Sequence, residues 1–332
     1  MAELNIGLVL PDVLGTYGDD GNALVLRQRA RLRGITAEIH TIRYGEAVPE
    51  TLDVYTLGGG EDVAQLLAAE HLRADGGLVR AVGSGRPVLA ICAGLQVLGE
   101  SFHAGGKLAE GLGLLDATTS QLGERMIGEL HSEPYRPGGN GGGAGAGAGG
   151  ANAGDGAGAQ SLAADLNELT EPLTGFANHM GATILGPDAR PLGILRARGG
   201  MVGNTDAHGV EAADVVVKNG EKQQSYEGAV QGSVIATYMH GPALARNPQL
   251  ADVLLARALG TTVAELPELG AGSIAEFEGV PAGDAGAGGA GADSAGAGAD
   301  AGVGTGAGSP DGREFAAQLT AEVEQLRRER LG

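Results

Sequence analysis

The sequence predicts an α/β protein built on a mostly parallel sheet, and three observations carry that prediction. Apolar runs of strand length recur at residues 5–10, 53–57 and 87–91, the kind a strand buried on both faces shows. Stretches with helical spacing lie between them. The strands also end in small residues, as in Gly58-Gly59-Gly60 and around Cys92-Ala93-Gly94. Strands and helices alternating at this spacing build βαβ units.

In chain order, the first strand leads through the loop Tyr17-Gly18-Asp19-Asp20-Gly21-Asn22 into a helix over residues 23–33. There Leu24, Leu26 and Leu32 oppose four arginines, and Gly34 stops the helix. Residues 36–42 alternate as a strand. The strand at 53–57 feeds the triple glycine, and 62–82 read as helix broken near Gly76-Gly77. The strand at 87–91 is followed by helix from Leu95 onwards. After a Gly/Ala tract, 215–217 and 232–239 read as strands. Asn247 caps a helix with Pro248 at its first position, running through Leu250, Val253, Leu254 and Leu259 to Gly260. Residues 313–331 have the spacing of a charged amphipathic helix, with Phe315, Leu319, Val323 and Leu326 among its apolar positions.

Composition narrows the function classes. The chain has 22 Lys+Arg against 41 Asp+Glu, a formal net charge of -19. That charge repels phosphate backbones, so no nucleic-acid partner is expected. A single cysteine excludes an intrachain disulfide and an all-cysteine zinc site. No apolar run reaches the ~18 residues of a membrane span, and no leader-like segment opens the chain. A soluble cytoplasmic protein without direct membrane insertion is expected. Glycine is in excess at 62 residues, and two Gly/Ala tracts at 137–160 and 281–312 hold 12 glycines each. Such tracts bury too little apolar surface to offset the entropy of ordering, and read as a loop-like insertion and a linker.

The most informative segment is Pro87-Val88-Leu89-Ala90-Ile91-Cys92-Ala93-Gly94-Leu95. An apolar strand runs into a reactive side chain flanked by small residues and then into a helix, the layout of a nucleophile elbow. The helix N-terminus is expected to lower the thiol pKa, and backbone N–H groups there can hold an oxyanion. The competing reading is a buried core cysteine, since free cysteine is among the most buried residue types. Position at a strand-helix junction favours the nucleophile. The triple glycine ends the neighbouring strand, so the amide of Gly60 is a candidate to complete an oxyanion hole with that of Ala93. A phosphate loop is disfavoured there because Glu61 and Asp62 follow directly and no Lys-Ser/Thr does.

A cysteine nucleophile needs a base, and the chain offers seven histidines. His240 stands out because it closes the strand-like run Ser233-Val234-Ile235-Ala236-Thr237-Tyr238-Met239 and precedes Gly241-Pro242. Strand ends at the carboxyl edge of a parallel sheet are where sites of this fold class lie. His179, within Phe176-Ala177-Asn178-His179, is the second candidate.

The elbow at Cys92, the glycine turn and Tyr238-Met239-His240-Gly241-Pro242 resemble class I glutamine amidotransferase domains, most of all the branch related to cobyric acid synthase. Within it, the loop 17–22, the segment 175–179 and the spacing from His240 to Asn247-Pro248 are similar to the glutaminase subunits of lipid II isoglutaminyl synthases. The resemblance implies a three-layer sandwich around a mostly parallel central sheet. It implies Cys92 as nucleophile, His240 as base, and Arg125 as the residue that contacts glutamine. It further implies a heterodimer with a Mur-ligase-like synthetase subunit, which would carry ATP and Mg and act on lipid II near the inner membrane face. This chain itself would need no cofactor and no metal.

On this reading residues 1–260 form the amidotransferase domain, interrupted by the 137–160 insertion. An extension (261–280), the 281–312 linker and a C-terminal helix (313–332) follow. Two departures from the family pattern stand out. Ala90 replaces the usual glycine two residues before the cysteine. Pro242 stands where many class I domains carry the glutamate that orients the histidine. The loop at Asp19–Asn22 reads as a helix cap with no catalytic role. The orienting acid is then either one distant in this sequence or one from the partner subunit, and the partner is the favoured expectation. Two rival functions remain: a stand-alone cysteine hydrolase of similar fold, and an inactive amidotransferase-like binding subunit.

Overall fold

A computed structural model of the chain describes residues 3–136, 165–195, 205–206 and 225–270. The expected strand at 215–217, the linker at 281–312 and the helix at 313–331 lie outside these residues, as does the 137–160 insertion.

Two sheets organise the described chain. The first has six strands in the order β12-β13-β4-β3-β1-β2, taking β1 as Glu3–Val9, β2 as Thr36–Ile42, β3 as Val54–Leu57 and β4 as Val88–Ile91. β13 (Val234–Thr237) and β12 (Ala229–Gln231) complete it. Every pairing is parallel except that of the edge strand β12 with β13. β3, β4 and β13 are buried at every position, which explains their mainly apolar sequences. β2 sits at an edge and alternates in exposure, as its sequence does.

Strand order reverses at β1, with β2 on one side and β3 on the other. Right-handed crossovers from β1 and from β3 must then place helices on opposite faces. α1 (Gly21–Leu32) follows β1; α2 (Asp62–Asp75) and α3 (Gly77–Gly83) follow β3; α4 (Ala93–Leu98) follows β4. The helix expected over 62–82 breaks at Gly76, which takes φ 70° and ends α2. α1 buries Asn22, Ala23, Leu26 and Ala30, whereas Leu24 is exposed. Arg29 of α1 and Arg33, its C-cap, hold the closing helix Pro248–Leu259: Arg29 donates to both carboxylate oxygens of Asp252 at 2.9 and 2.7 Å, and Arg33 lies 2.8 Å from the same group.

The expected mostly parallel central sheet is present, and a second, mixed sheet accompanies it. Helix continues from the elbow only to Leu98, and Ser101 already opens a strand. β5 (Ser101–Ala104), β6 (Lys107–Glu110), β7 (Ala117–Pro134), β8 (Leu173–Leu185), β9 (Gly193–Leu195), β10 (Thr205–Asp206) and β11 (Tyr226–Glu227) run in the order β6-β5-β7-β8-β10-β11-β9. Its spine is the long antiparallel pair β7–β8, which breaks register between Gln121 and Met126. Among the described residues no helix is long and apolar enough to cross a membrane.

The N-cap expected at Asn247 is also different. Its side chain makes no capping bond to the helix. It exchanges two hydrogen bonds with the Thr174 backbone (2.8 Å each) and donates to Ala243 O, tying the helix to β8.

Candidate active site

Four chain segments meet at the carboxyl edge of the parallel sheet, next to the switch point between β1 and β3. They follow β1, β3, β4 and β13 and bring Asp19, Gly59, Cys92 and His240 together. Gly59 marks the centre. A Cβ built there would lie 2.7 Å from His240 Cε1, 3.2 Å from Asp19 Oδ2 and 3.4 Å from Cys92 Cβ. No side chain fits that position, which gives the triple glycine a packing reason beyond a sharp turn.

Cys92 takes φ 52° and ψ -104° at the junction of β4 and α4, a left-handed conformation rare for a residue with a side chain. Such strain concentrates at functional turns. Its N–H donates to Thr237 O at 2.8 Å, which locks the elbow to β13. Cys92 is only 7% exposed, and burial pushes its thiol up to about 12, with the Asp19 carboxylate acting in the same direction. The Ala93 amide and Arg125 pull the other way and lose. The expected lowering by the helix N-terminus is therefore overturned. α4 has six residues, and removal from water outweighs what so short a helix contributes.

His240 is 1% exposed, held by a backbone exchange with Phe176. Its Nδ1 lies 2.8 Å from Asp19 Oδ2, which also accepts the Gly59 N–H at 2.9 Å. A carboxylate can only accept, so Nδ1 carries a proton, and in the neutral imidazole the lone pair is on Nε2. Nε2 is buried and makes no hydrogen bond among the described residues. This corrects the expectation of an acid from another subunit, and it gives the 17–22 loop more than a capping role. Asp20 does cap α1, accepting from Gly21 N–H at 3.1 Å. Asn22 donates to Asp19 O and accepts from Leu244 N–H, so the loop is stitched to the segment after His240. Asp19 and His240 are 221 positions apart, and inspecting the neighbours of the histidine could not have paired them. The signal available in sequence was an Asp-rich loop directly after the first strand.

A cavity of ≈ 310 Å³ opens over Cys92 and His240 and is bordered by Gly60, Arg125, Asn178 and His179. Arg125 stands in the register break of β7, where the bulge frees it from the ladder and turns it outward. Its Nη1 donates to Asn178 Oδ1 at 2.7 Å, and the Asn178 amide donates to the Tyr17 hydroxyl. Tyr17 packs edge-on against the His240 ring at 4.8 Å. One strap thus joins the exposed arginine to the buried histidine. His179, the second candidate base, is buried and stacks on Tyr238 at 4.0 Å; His240 and not His179 holds the Asp19 carboxylate. Gly60 borders the cavity, while Gly59 N–H is already committed to Asp19.

The chain is similar to several known proteins. The subunit GatD of the glutamine-hydrolysing lipid II isoglutaminyl synthase of Streptococcus pneumoniae is 29% identical over 264 residues, 77% of this chain and 81% of that protein. Its counterpart from Staphylococcus aureus is 29% identical over 261 residues, 78% and 85% of the two chains. A solved glutamine amidotransferase aligns over 76% of this chain and 98% of its own at 17% identity, with a TM-score of 0.40. Residues 5–248 match the model of the CobB/CobQ-like glutamine amidotransferase domain. The chain belongs to that family.

Proposed function

We propose that this chain is the glutamine-hydrolysing subunit of a lipid II isoglutaminyl synthase, and that Cys92, His240 and Asp19 form its catalytic triad. One observation carries the reading: a cysteine on a strained elbow and a histidine with a free buried Nε2 converge on Gly59, with a carboxylate on the far side of the imidazole. The names of the relatives support lipid II as the acceptor.

In this reading glutamine enters the cavity with its carboxylate on Arg125, whose planar guanidinium suits bidentate binding. His240 Nε2 takes the Cys92 proton, and the thiolate attacks the side-chain amide carbon. Because burial holds the resting thiol protonated, the transfer is coupled to substrate arrival. The amides of Gly60 and Ala93 hold the oxyanion. Protonated His240, steadied by Asp19, gives its proton to the departing ammonia. Water then attacks the thioester, His240 takes a proton from it, and glutamate leaves with the thiol restored. Ammonia passes to a Mur-ligase-like partner that uses ATP and Mg to activate the α-carboxyl of D-glutamate in the lipid II stem peptide.

The test is ammonia release from glutamine by the purified chain, alone and with such a partner. Since the orienting acid lies in this chain, hydrolysis by the isolated chain is expected. No hydrolysis in either assay would sink the reading. Hydrolysis of peptides or esters in preference to glutamine would favour a stand-alone hydrolase.

A further inference from the structure

Glu227 is a fully buried carboxyl that does not border the cavity. It ends β11 in the second sheet, and Gly228 turns the chain directly into β12 of the first. Gly228 takes φ 66°, and a Cβ there would lie 2.6 Å from Ala236 O, so the turn admits little but glycine. The turn delivers the Glu227 side chain to the end of β13. There a single oxygen, Oε1, accepts the Thr237 hydroxyl at 2.6 Å and the Tyr238 N–H at 2.8 Å. The Thr237 hydroxyl in turn accepts the Met239 N–H at 3.0 Å.

These contacts fall where the sheet can no longer supply partners. β13 stops at Thr237, and buried N–H groups beyond it need acceptors. One glutamate oxygen therefore organises the last residue of β13 and, directly or through the Thr237 hydroxyl, the two residues between it and His240. The same segment touches the rest of the site twice more. Thr237 O accepts the Cys92 N–H at 2.8 Å, and the Tyr238 ring stacks on His179 in the cavity wall.

We propose that Glu227 is a positioning residue: it fixes residues 237–239 and thereby aims His240 at Cys92. The inference rests on the reading of those two residues as base and nucleophile. It matters because a displacement of about 1 Å between reacting groups can cost roughly a hundredfold in rate.

The experiment compares Glu227→Gln, Glu227→Ala, Thr237→Ser and Thr237→Val in the full chain. It reads Tm, kcat and KM for glutamine, and the rate of Cys92 alkylation by iodoacetamide, which is unambiguous because the chain has one cysteine. Gln keeps an acceptor oxygen and Ser keeps the hydroxyl, so both should stay within about threefold of the parent. Ala and Val should lower kcat by about tenfold or more with KM nearly unchanged, and slow alkylation at neutral pH in parallel. If Ala and Val fold, lose only Tm and keep both rates, Glu227 serves the fold alone and the proposal is overturned. A raised KM at unchanged kcat overturns it as well. Should Glu227→Ala not fold, Thr237→Val decides, since it is isosteric and leaves the bond to Tyr238. Failure of both to fold would make the clamp a condition of folding and also overturn the proposal. A parent chain that cannot hydrolyse glutamine would defeat the functional reading instead, while the alkylation series still tests the positioning.

Discussion

The two sheets contribute unlike halves of the cavity. On the parallel sheet, Asp19, Cys92 and His240 are 2%, 7% and 1% exposed and each is held by main-chain hydrogen bonds or strain. On the second sheet, Arg125 stands exposed in a bulge and is fixed mainly through Asn178 and Tyr17. The first half has little freedom left and suits chemistry, where small misplacements are costly. The second is exposed and suits ligand binding. Damage to the first should therefore appear in kcat and damage to the second in KM.

The largest effects test the buried half. Cys92→Ser and His240→Ala should each lower kcat for glutamine hydrolysis by about a thousandfold or more, because triad members act as a unit. Ammonia release near the parent level in either variant would remove that residue from the mechanism. Asp19→Asn should cost about a hundredfold or more in kcat with the fold retained, since an amide cannot hold the same tautomer of His240. If the isolated Asp19→Asn chain is fully active, the acid must come from elsewhere and the partner returns as its source.

Arg125→Ala should raise the glutamine KM about tenfold and leave kcat within a few-fold, because it removes binding shared by ground and transition states. A fall in kcat at constant KM would dissolve the division between the halves. A subtler check uses the thiol. Held near 12 by burial, Cys92 without substrate should alkylate slowly at pH 7 and keep accelerating beyond pH 9. A plateau at neutral pH would mean a resting thiolate.

The smallest effect concerns stability. Burial raises the Glu227 carboxyl from 4.5 to about 7, so between these values the folded chain holds a proton that the unfolded chain has lost. Its contribution to stability is present below about 4.5 and is lost as pH rises to about 7. Glu227→Gln has no such loss. Its Tm relative to the parent should rise by a few degrees from pH 5 to pH 8. A pH-independent difference would mean that the carboxyl titrates normally.

Much of the first half is legible in the sequence. β3, β4 and β13 are buried at every position, so their sequences are mainly apolar, and β3 and β4 run directly into Gly58 and Cys92. The second half was hidden. β7 carries Ser120, Gln121, Glu129 and His131 on a partly solvated ribbon and changes register midway, so no single apolar alternation runs through it. Arg125 was recognisable through family resemblance and not through its neighbours.

The sequence by itself determined the parallel sheet, the elbow at Cys92 and the choice of His240 at a strand end, because each depends on residues within a few positions of one another. Tertiary structure alone decided which acid faces His240, how far burial raises the thiol, and that Glu227 reaches the end of β13 from another sheet. The first is a contact across 221 residues, the second a balance of desolvation against nearby charge, and the third a product of one glycine turn between two sheets. A local window of sequence contains none of these distances.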